Sequence, residues 1–227
     1  MKNLALFDID GTLTRRRIGT DTRKFDNAIF SVHGLRVSVN LEETDGLTDR
    51  LVLKKYLDLQ GIKDYRFEEC FEALYQSFME LFRECGYELL EGVQEILDEL
   101  QAKNVIIGHV TGNTRKIAKV KMECVGIGDY FAIGGYGCYA HTSRHELVRA
   151  AIEEAQRKLE FVPNKNNVFL FGDTPRDVIA GKKSGVATIA CCTGSHSGER
   201  LQREKPDLTV KNMREGKNSI LRLMNVL

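Results

Sequence analysis

Prolines are scarce here, three in 227 residues, which argues against a long stiff linker between independent parts. Long apolar runs are missing as well: no stretch approaches the roughly 20 residues of a membrane-spanning helix. Residues 1–10 do not read as an export signal, because the apolar stretch at 4–7 is short and two carboxylates follow it at once. Charge of one sign is also lacking. Lys and Arg number 33 against 32 Asp and Glu, a net charge of +1, so no global field favours nucleic acid or an anionic membrane, and neither is expected as a partner. Any anionic ligand must be met by a local site. The six cysteines, Cys70, Cys85, Cys124, Cys138, Cys191 and Cys192, include no Cys-x-x-Cys pair and meet no paired histidines. They read as reduced, mostly buried thiols of a cytoplasmic protein, without zinc spacing. The glycines at 126–128 and 134–137 lack the Gly-x-Gly-x-x-Gly spacing of dinucleotide binding, and Gly112–Lys116 lacks the Gly-Lys-Ser/Thr ending of a nucleotide P-loop.

What is present is ordinary globular composition, 42% hydrophobic and 29% charged, in a chain long enough for one large domain or two modest ones. From about residue 90 onward, short apolar runs at 105–110, 131–133, 168–171 and 187–191 alternate with helical patterns at 92–102, 114–124, 144–159 and 175–184. That alternation signals parallel βαβ units, and the near-continuous apolar run at 4–9 joins them as a strand covered on both faces. Between residues 13 and 90 the pattern is helical instead. Phe25, Ala28, Ile29 and Val32 stop at Gly34, and an aromatic stripe from Phe67 through Phe71, Leu74, Tyr75, Phe78, Leu81 and Phe82 stops at Gly86. The segment 48–59 predicts a third helix with Leu51, Val52, Lys55, Tyr56 and Leu59 around its buried edge. The expected fold is α/β: a Rossmann-like parallel-sheet core domain of residues 1–14 and 90–227, with an inserted α-helical domain at 15–89.

The densest chemistry lies in Asp8-Ile9-Asp10-Gly11-Thr12-Leu13. Two carboxylates at the end of a buried strand are costly without a charged partner. In extended chain they would face opposite sides, so the chain must turn after Asp8, where Gly11 permits the conformation. A strand ending in a polar turn is the plain alternative. Two further strands weigh against it: 105–110 is followed by Thr111-Gly112-Asn113, and 168–171 by Gly172-Asp173-Thr174-Pro175-Arg176-Asp177. Open parallel sheets bind ligands outside the carboxyl ends of their strands, and here three strands deliver oxygen-bearing side chains and a glycine to that edge.

In that order these motifs resemble the haloacid dehalogenase-like superfamily. The helical block resembles the cap of its phosphoglycolate phosphatase and β-phosphoglucomutase branch, and Gly46-Leu47-Thr48-Asp49 resembles an element of those caps. The resemblance spans essentially the whole chain. It implies a phosphatase in which Asp8 attacks phosphorus to form an aspartyl-phosphate and Asp10 serves as acid and base. It implies Mg²⁺ as cofactor, held by Asp8, the backbone carbonyl of Asp10 and Asp173, with Asp177 completing the metal site by holding metal-bound water or by positioning a neighbour. Thr111, with Gly112 and Asn113, would bind the phosphate. Asp177 reads equally well as a first-turn carboxylate favoured by its helix dipole.

The family also needs a basic residue to balance the phosphate. Lys158 and Lys165 sit too close to the following strand, which leaves Arg144, opening its helix one βα unit before Asp173; its plain alternative is a solvated helix residue. Arg15-Arg16-Arg17 reads as a solvated run or as a contact for an anionic substrate at the cleft, and His109 as a packed core histidine. The expected partner is a small phosphorylated metabolite. A phosphomutase on the same parts is the alternative, with a non-catalytic phosphate-binding module as the reading from another class. No excess apolar stripe demands a second copy, and the oligomeric state is open.

Overall fold

The computed structural model describes residues 2–17, 22–44, 46–138 and 143–227. Its elements run in the order β1 (Leu4–Phe7), β2 (Thr14–Arg16), α1 (Arg23–His33), α2 (Leu41–Thr44), α3 (Asp49–Leu59), α4 (Phe67–Cys85), β3 (Tyr87–Leu89), α5 (Val93–Ala102), β4 (Ile106–Thr111), α6 (Arg115–Cys124), β5 (Ile133–Tyr136), α7 (Arg144–Leu159), β6 (Val168–Gly172), α8 (Pro175–Ser184), β7 (Ala187–Cys191), α9 (Gly198–Gln202), β8 (Leu208–Val210) and α10 (Met213–Leu223). Six strands form one parallel sheet in the order β5-β4-β1-β6-β7-β8. The expected α/β parallel-sheet core is therefore present, and β1 lies at its centre.

Burial on both faces of β1 explains its unbroken apolar sequence. Successive side chains point to opposite sides, so Ala5 and Phe7 join a core with Ile96, Leu97 and Phe171, while Leu4 and Leu6 join another with Leu147, Val148 and Ala151. The Phe7 and Phe171 rings stack across neighbouring strands with centroids 4.2 Å apart.

The helical block has its own apolar cluster, built from Phe25, Ile29, Val52, Leu53, Leu74 and Phe78, and it takes in Ile117 of α6. Its two chain crossings pair as an antiparallel ribbon, Thr14 opposite Leu89 and Arg16 opposite Tyr87. The sequence reading does not anticipate this ribbon, nor β8 and α10.

Three expectations need correction. The strand placed at 131–133 runs instead from Ile133 to Tyr136. Its glycines dilute the apolar signal but are needed for packing, since a Cβ on Gly135 would lie 2.1 Å from the Leu147 carbonyl oxygen. The buried edge of α3 is Val52, Leu53, Tyr56 and Leu57, whereas Leu59 is solvent-exposed. The Thr48 side chain, accepting from the Leu51 backbone N–H at 3.2 Å, sets the start and phase of this helix. The thiols are not mostly buried: Cys70 and Cys191 are, but Cys124 at the end of α6 is exposed and Cys138 and Cys192 are half-buried. All five are free, and Cys85 lies outside the described side chains.

Candidate active site

β1, β4 and β6 are neighbours, and their carboxyl ends bring the three motifs together. The Asp8 N–H donates to the Phe171 carbonyl at 2.9 Å, which carries the β1–β6 ladder one residue past the strand. The chain then turns tightly, with Leu13 and Thr14 N–H both donating to the Ile9 carbonyl. Gly11 sits at φ +81°, and a Cβ there would lie 2.3 Å from Asp173 Oδ2. Glycine is thus required twice, by conformation and by the close approach of β6. A Cβ on Gly194 would crowd the same oxygen, so Asp173 is walled in from two sides.

Asp8, Asp173 and Asp177 are buried and offer carboxylate oxygens within 4.8 Å of one another. Arg144 reaches this cluster from the start of α7. Its Nη2 lies 2.5 Å from Asp8 Oδ1 and its Nε pairs with Asp177 Oδ1. Thr12 donates its hydroxyl to Asp173 Oδ1 at 3.1 Å. Burial pushes Asp8 up to about 7: Arg144 opposes the rise, and Asp177 and Asp10 add to it. Asp173 is raised well above its ordinary value by burial and by Asp8 and Asp177. Three carboxylates against one guanidinium leave an excess of negative charge that a divalent cation would neutralise, and all-oxygen donors suit Mg²⁺.

Asp177 caps the first turn of α8 and at the same time holds Arg144. Its Oδ2 accepts from the Thr174 N–H at 3.0 Å and hydroxyl at 2.7 Å, closing a capping box on α8, while Oδ1 serves Arg144.

Asp10 stands apart from the acidic cluster and faces the cavity. Lys121 Nζ lies 2.7 Å from both of its oxygens, and Asn113 Nδ2 donates to Oδ2 at 2.7 Å. Burial would raise the Asp10 carboxyl, but Lys121 and Asn113 overcome this and hold it below its ordinary value. Lys121 is itself held above the usual lysine range: burial disfavours its charge, and Asp10 and Tyr87 prevail. The Asn113 amide N–H group is thus committed to Asp10 and to Thr111 Oγ1. Thr111 accepts from Asn113 through both the backbone N–H and Nδ2, which leaves its own proton to donate. Gly112 is where the helical block meets the sheet edge. Its carbonyl accepts from the Asp49 N–H at 2.7 Å, and Asp49 Oδ2 accepts from the Thr114 N–H at 2.8 Å. Lys24 of α1 pairs with Asp49 at 3.1 Å.

These groups border a cavity of about 480 Å³ between the sheet edge and the helices, within the range of small-molecule sites. All eight residues singled out from the sequence lie together: Asp8, Asp10, Thr111, Gly112, Asn113, Arg144 and Asp173 line the cavity, and Asp177 backs it. Arg15 and Arg16 also border it. Arg15 pairs with Glu88 on the ribbon, and Arg16 donates to the Leu81 carbonyl. His109 is packed as expected, stacked on Phe131 and 3.0 Å from the Tyr136 hydroxyl, and burial lowers it to about 4.

Lys121, Lys24 and Thr12 escape sequence reasoning. For Lys121 a signal exists: the buried face of α6 is Ile117, Ala118, Lys121 and Met122, and a lysine on an apolar stripe needs a buried carboxylate.

With this geometry in place, comparison with known proteins is informative. A family profile described as haloacid dehalogenase-like hydrolase matches residues 5–191. A phosphoglycolate phosphatase from Pseudomonas fluorescens is 26% identical over 225 residues, covering 94% of this chain and 78% of that one. A pyrophosphatase PpaX from Oceanobacillus iheyensis is 25% identical over 124 residues, covering 54% of this chain and 56% of the other. The crystal structure of a hydrolase from Pseudomonas syringae superposes with a TM-score of 0.72 at 18% identity, covering 97% of this chain and 99% of that one. The motifs that end three adjoining strands and the profile spanning them lead to the same place: the chain belongs to the haloacid dehalogenase-like hydrolases and is a phosphatase of that family.

Proposed function

We propose that the protein is a Mg²⁺-dependent phosphomonoesterase acting on a small phosphorylated metabolite through an aspartyl-phosphate on Asp8. The observation that carries the reading is the buried trio Asp8, Asp173 and Asp177, matched by the single guanidinium of Arg144. Asp8, Asp173 and the backbone carbonyl of Asp10 would hold the ion, with Asp177 behind them. When bound, it supplies positive charge that eases the approach of anionic Asp8 to a phosphate dianion.

Asp8 attacks phosphorus, the bond from phosphorus to the ester oxygen breaks, and Asp10 gives that oxygen its proton. Water then attacks the aspartyl-phosphate and yields a proton to Asp10 while the bond from phosphorus to Asp8 breaks, regenerating both residues. Thr111 donates its hydroxyl to a phosphate oxygen, and Arg144 balances the dianion's charge. We take residues 15–89 as a cap that excludes water from the first step; the Asp49–Gly112 and Asp49–Thr114 hydrogen bonds are the contacts by which it would close.

The test uses purified protein and 4-nitrophenyl phosphate. Turnover should require Mg²⁺, stop on addition of EDTA, and vanish in Asp8→Asn with the fold retained. Turnover that survives this substitution would exclude Asp8 as nucleophile.

A further inference from the structure

The part of the cavity that would receive the leaving group differs in character from the part that receives phosphate. Phe78 and Phe82 of α4 and Tyr87 of β3 form an aromatic wall, with ring centroids 5.5 Å (Phe78–Phe82), 5.9 Å (Phe82–Tyr87) and 6.3 Å (Phe78–Tyr87) apart. All three border the cavity, with Leu81 beside them and Phe25 and Val52 also lining it. Phe82 and Tyr87 keep part of their surface open. Lys121 Nζ lies 4.9 Å from the Tyr87 centroid and 5.8 Å from that of Phe78 while it grips Asp10. The aromatic wall therefore begins beside the carboxylate that protonates the departing oxygen.

Most cations of the cavity already face carboxylates, and Arg16, which also borders it, donates to the Leu81 carbonyl. Lys24 faces Asp49, Lys121 faces Asp10, and Arg15 faces Glu88. Arg144 faces Asp8 and Asp177. The cation and Arg144 would already face three carboxylates, so a phosphate dianion brings net negative charge to the site. A second anionic group on the substrate would add to that charge in a partly apolar cavity, at a large desolvation cost. Phosphoglycolate and pyrophosphate, the compounds in the names of the two relatives above, both carry such a group.

We infer that the substrate is a phosphomonoester whose leaving alcohol is uncharged and carries an aromatic ring, seated against Phe78, Phe82 and Tyr87. The inference rests on the phosphomonoesterase reading and narrows it. A cavity of about 480 Å³ has room for the ring as well as the phosphoryl group.

The test compares three phosphomonoesters with Mg²⁺: 2-phenylethyl phosphate, ethyl phosphate and phosphoglycolate. The first two are primary alkyl esters, so leaving-group chemistry is nearly matched and the ring is the variable. Burying a phenyl ring corresponds to roughly a 10–100-fold advantage, and kcat/KM for the phenylethyl ester should exceed that for the ethyl ester by about this factor. Phosphoglycolate should fall below the phenylethyl ester. Phe82→Ala should bring the phenylethyl-to-ethyl ratio toward one. Phe82→Leu, which keeps bulk without the ring and is the safer variant for folding, should give an intermediate ratio with an unshifted melting transition. A wild-type ratio near one, or a preference for phosphoglycolate, overturns the inference while leaving the phosphatase reading intact. No turnover of the three esters while 4-nitrophenyl phosphate is hydrolysed overturns the inference alone; no turnover of any of the four overturns the phosphomonoesterase reading as well.

Discussion

Replacing Asp8 by asparagine removes one carboxylate from a buried group of three while keeping its shape and an oxygen to face Arg144. Without metal, the reasoning predicts that this inactive variant is more stable than the wild type at alkaline pH. Burial pushes Asp8 from 3.8 up to about 7, with Arg144 opposing and Asp177 and Asp10 reinforcing the rise. The sign follows from proton counts. Between pH 4 and 7 the folded chain keeps a proton on Asp8 that the unfolded chain has released, so folding stability declines as pH climbs through that window. Below pH 4 both states are protonated and the penalty is absent; above 7 it is fully present. About three pKa units correspond to roughly 4 kcal/mol at most, and asparagine escapes the penalty altogether. Relaxation of Arg144 and Asp173 should reduce the gain to about 2–3 kcal/mol, or some 4–12 °C in Tm for a chain of this size. The assay is urea or thermal denaturation of both proteins in EDTA at pH 5, 6, 7 and 8. The curves should lie closest at pH 5 and separate toward pH 8, with Mg²⁺ stabilising the wild type more than the variant. A variant less stable than wild type at pH 8 in EDTA would refute the account of the carboxylate cluster.

Three further outcomes follow from single contacts. Lys121→Met removes the cation that holds Asp10 ionised, so the alkaline limb of the kcat/KM profile, which reports the acid, should move to higher pH; an unmoved limb would separate Lys121 from Asp10. His109 is lowered to about 4 by burial and by Arg115, so the wild type should lose up to about 3 kcal/mol as pH falls from 6.5 through 4. His109→Gln should flatten that acid limb in denaturation curves, and an identical limb in both proteins would count against it. Gly11→Ala forces a side chain at φ +81° into Asp173 Oδ2, and should abolish turnover and lower Tm, whereas Gly61→Ala, also at positive φ but with open space around it, should cost about 1 kcal/mol and leave kinetics unchanged.

What could be read from the sequence was what lies close together along the chain or repeats with a fixed period. Asp8 and Asp10 stood out because a buried strand rarely ends in paired carboxylates, and Arg144 because the family resemblance asks for a basic residue and this one opens the helix one βα unit before Asp173. The β2–β3 ribbon was hidden by length, since three-residue strands carry no period. The α3 face was misread because its apolar and long charged residues overlap in two phases, and the Thr48 cap together with packing against α1 selects one. Lys121 was hidden by distance: it pairs with a residue 111 positions away, and no local pattern links the two. Asn113, taken from the family motif as a phosphate contact, donates its amide to Asp10 and Thr111, and the Asp10 partner lies 103 positions away, beyond any local pattern.

The proton distribution in the protein alone runs against the proposed chemistry, and this bears on how the reaction is controlled. Catalysis needs Asp8 ionised and Asp10 protonated. Burial and its acidic neighbours instead favour the proton on Asp8, and Lys121 with Asn113 keeps it off Asp10. Two charges that come with the reaction act in the required directions. A divalent cation held among Asp8, Asp173 and Asp177 would lower the affinity of Asp8 for its proton, and a phosphate dianion near Asp10 would raise that of Asp10. A unit charge 4 Å away at an effective dielectric of 20 is worth about 4 kcal/mol, close to three pKa units, which matches the shift on Asp8 that must be reversed. Neither charge suffices alone: the cation leaves Asp10 without a proton, and the dianion without the cation meets a cluster already rich in negative charge. On the proposed chemistry, joint binding would arm the pair, and the acidic excess that destabilises the metal-free fold would be the same feature that makes its nucleophile depend on metal.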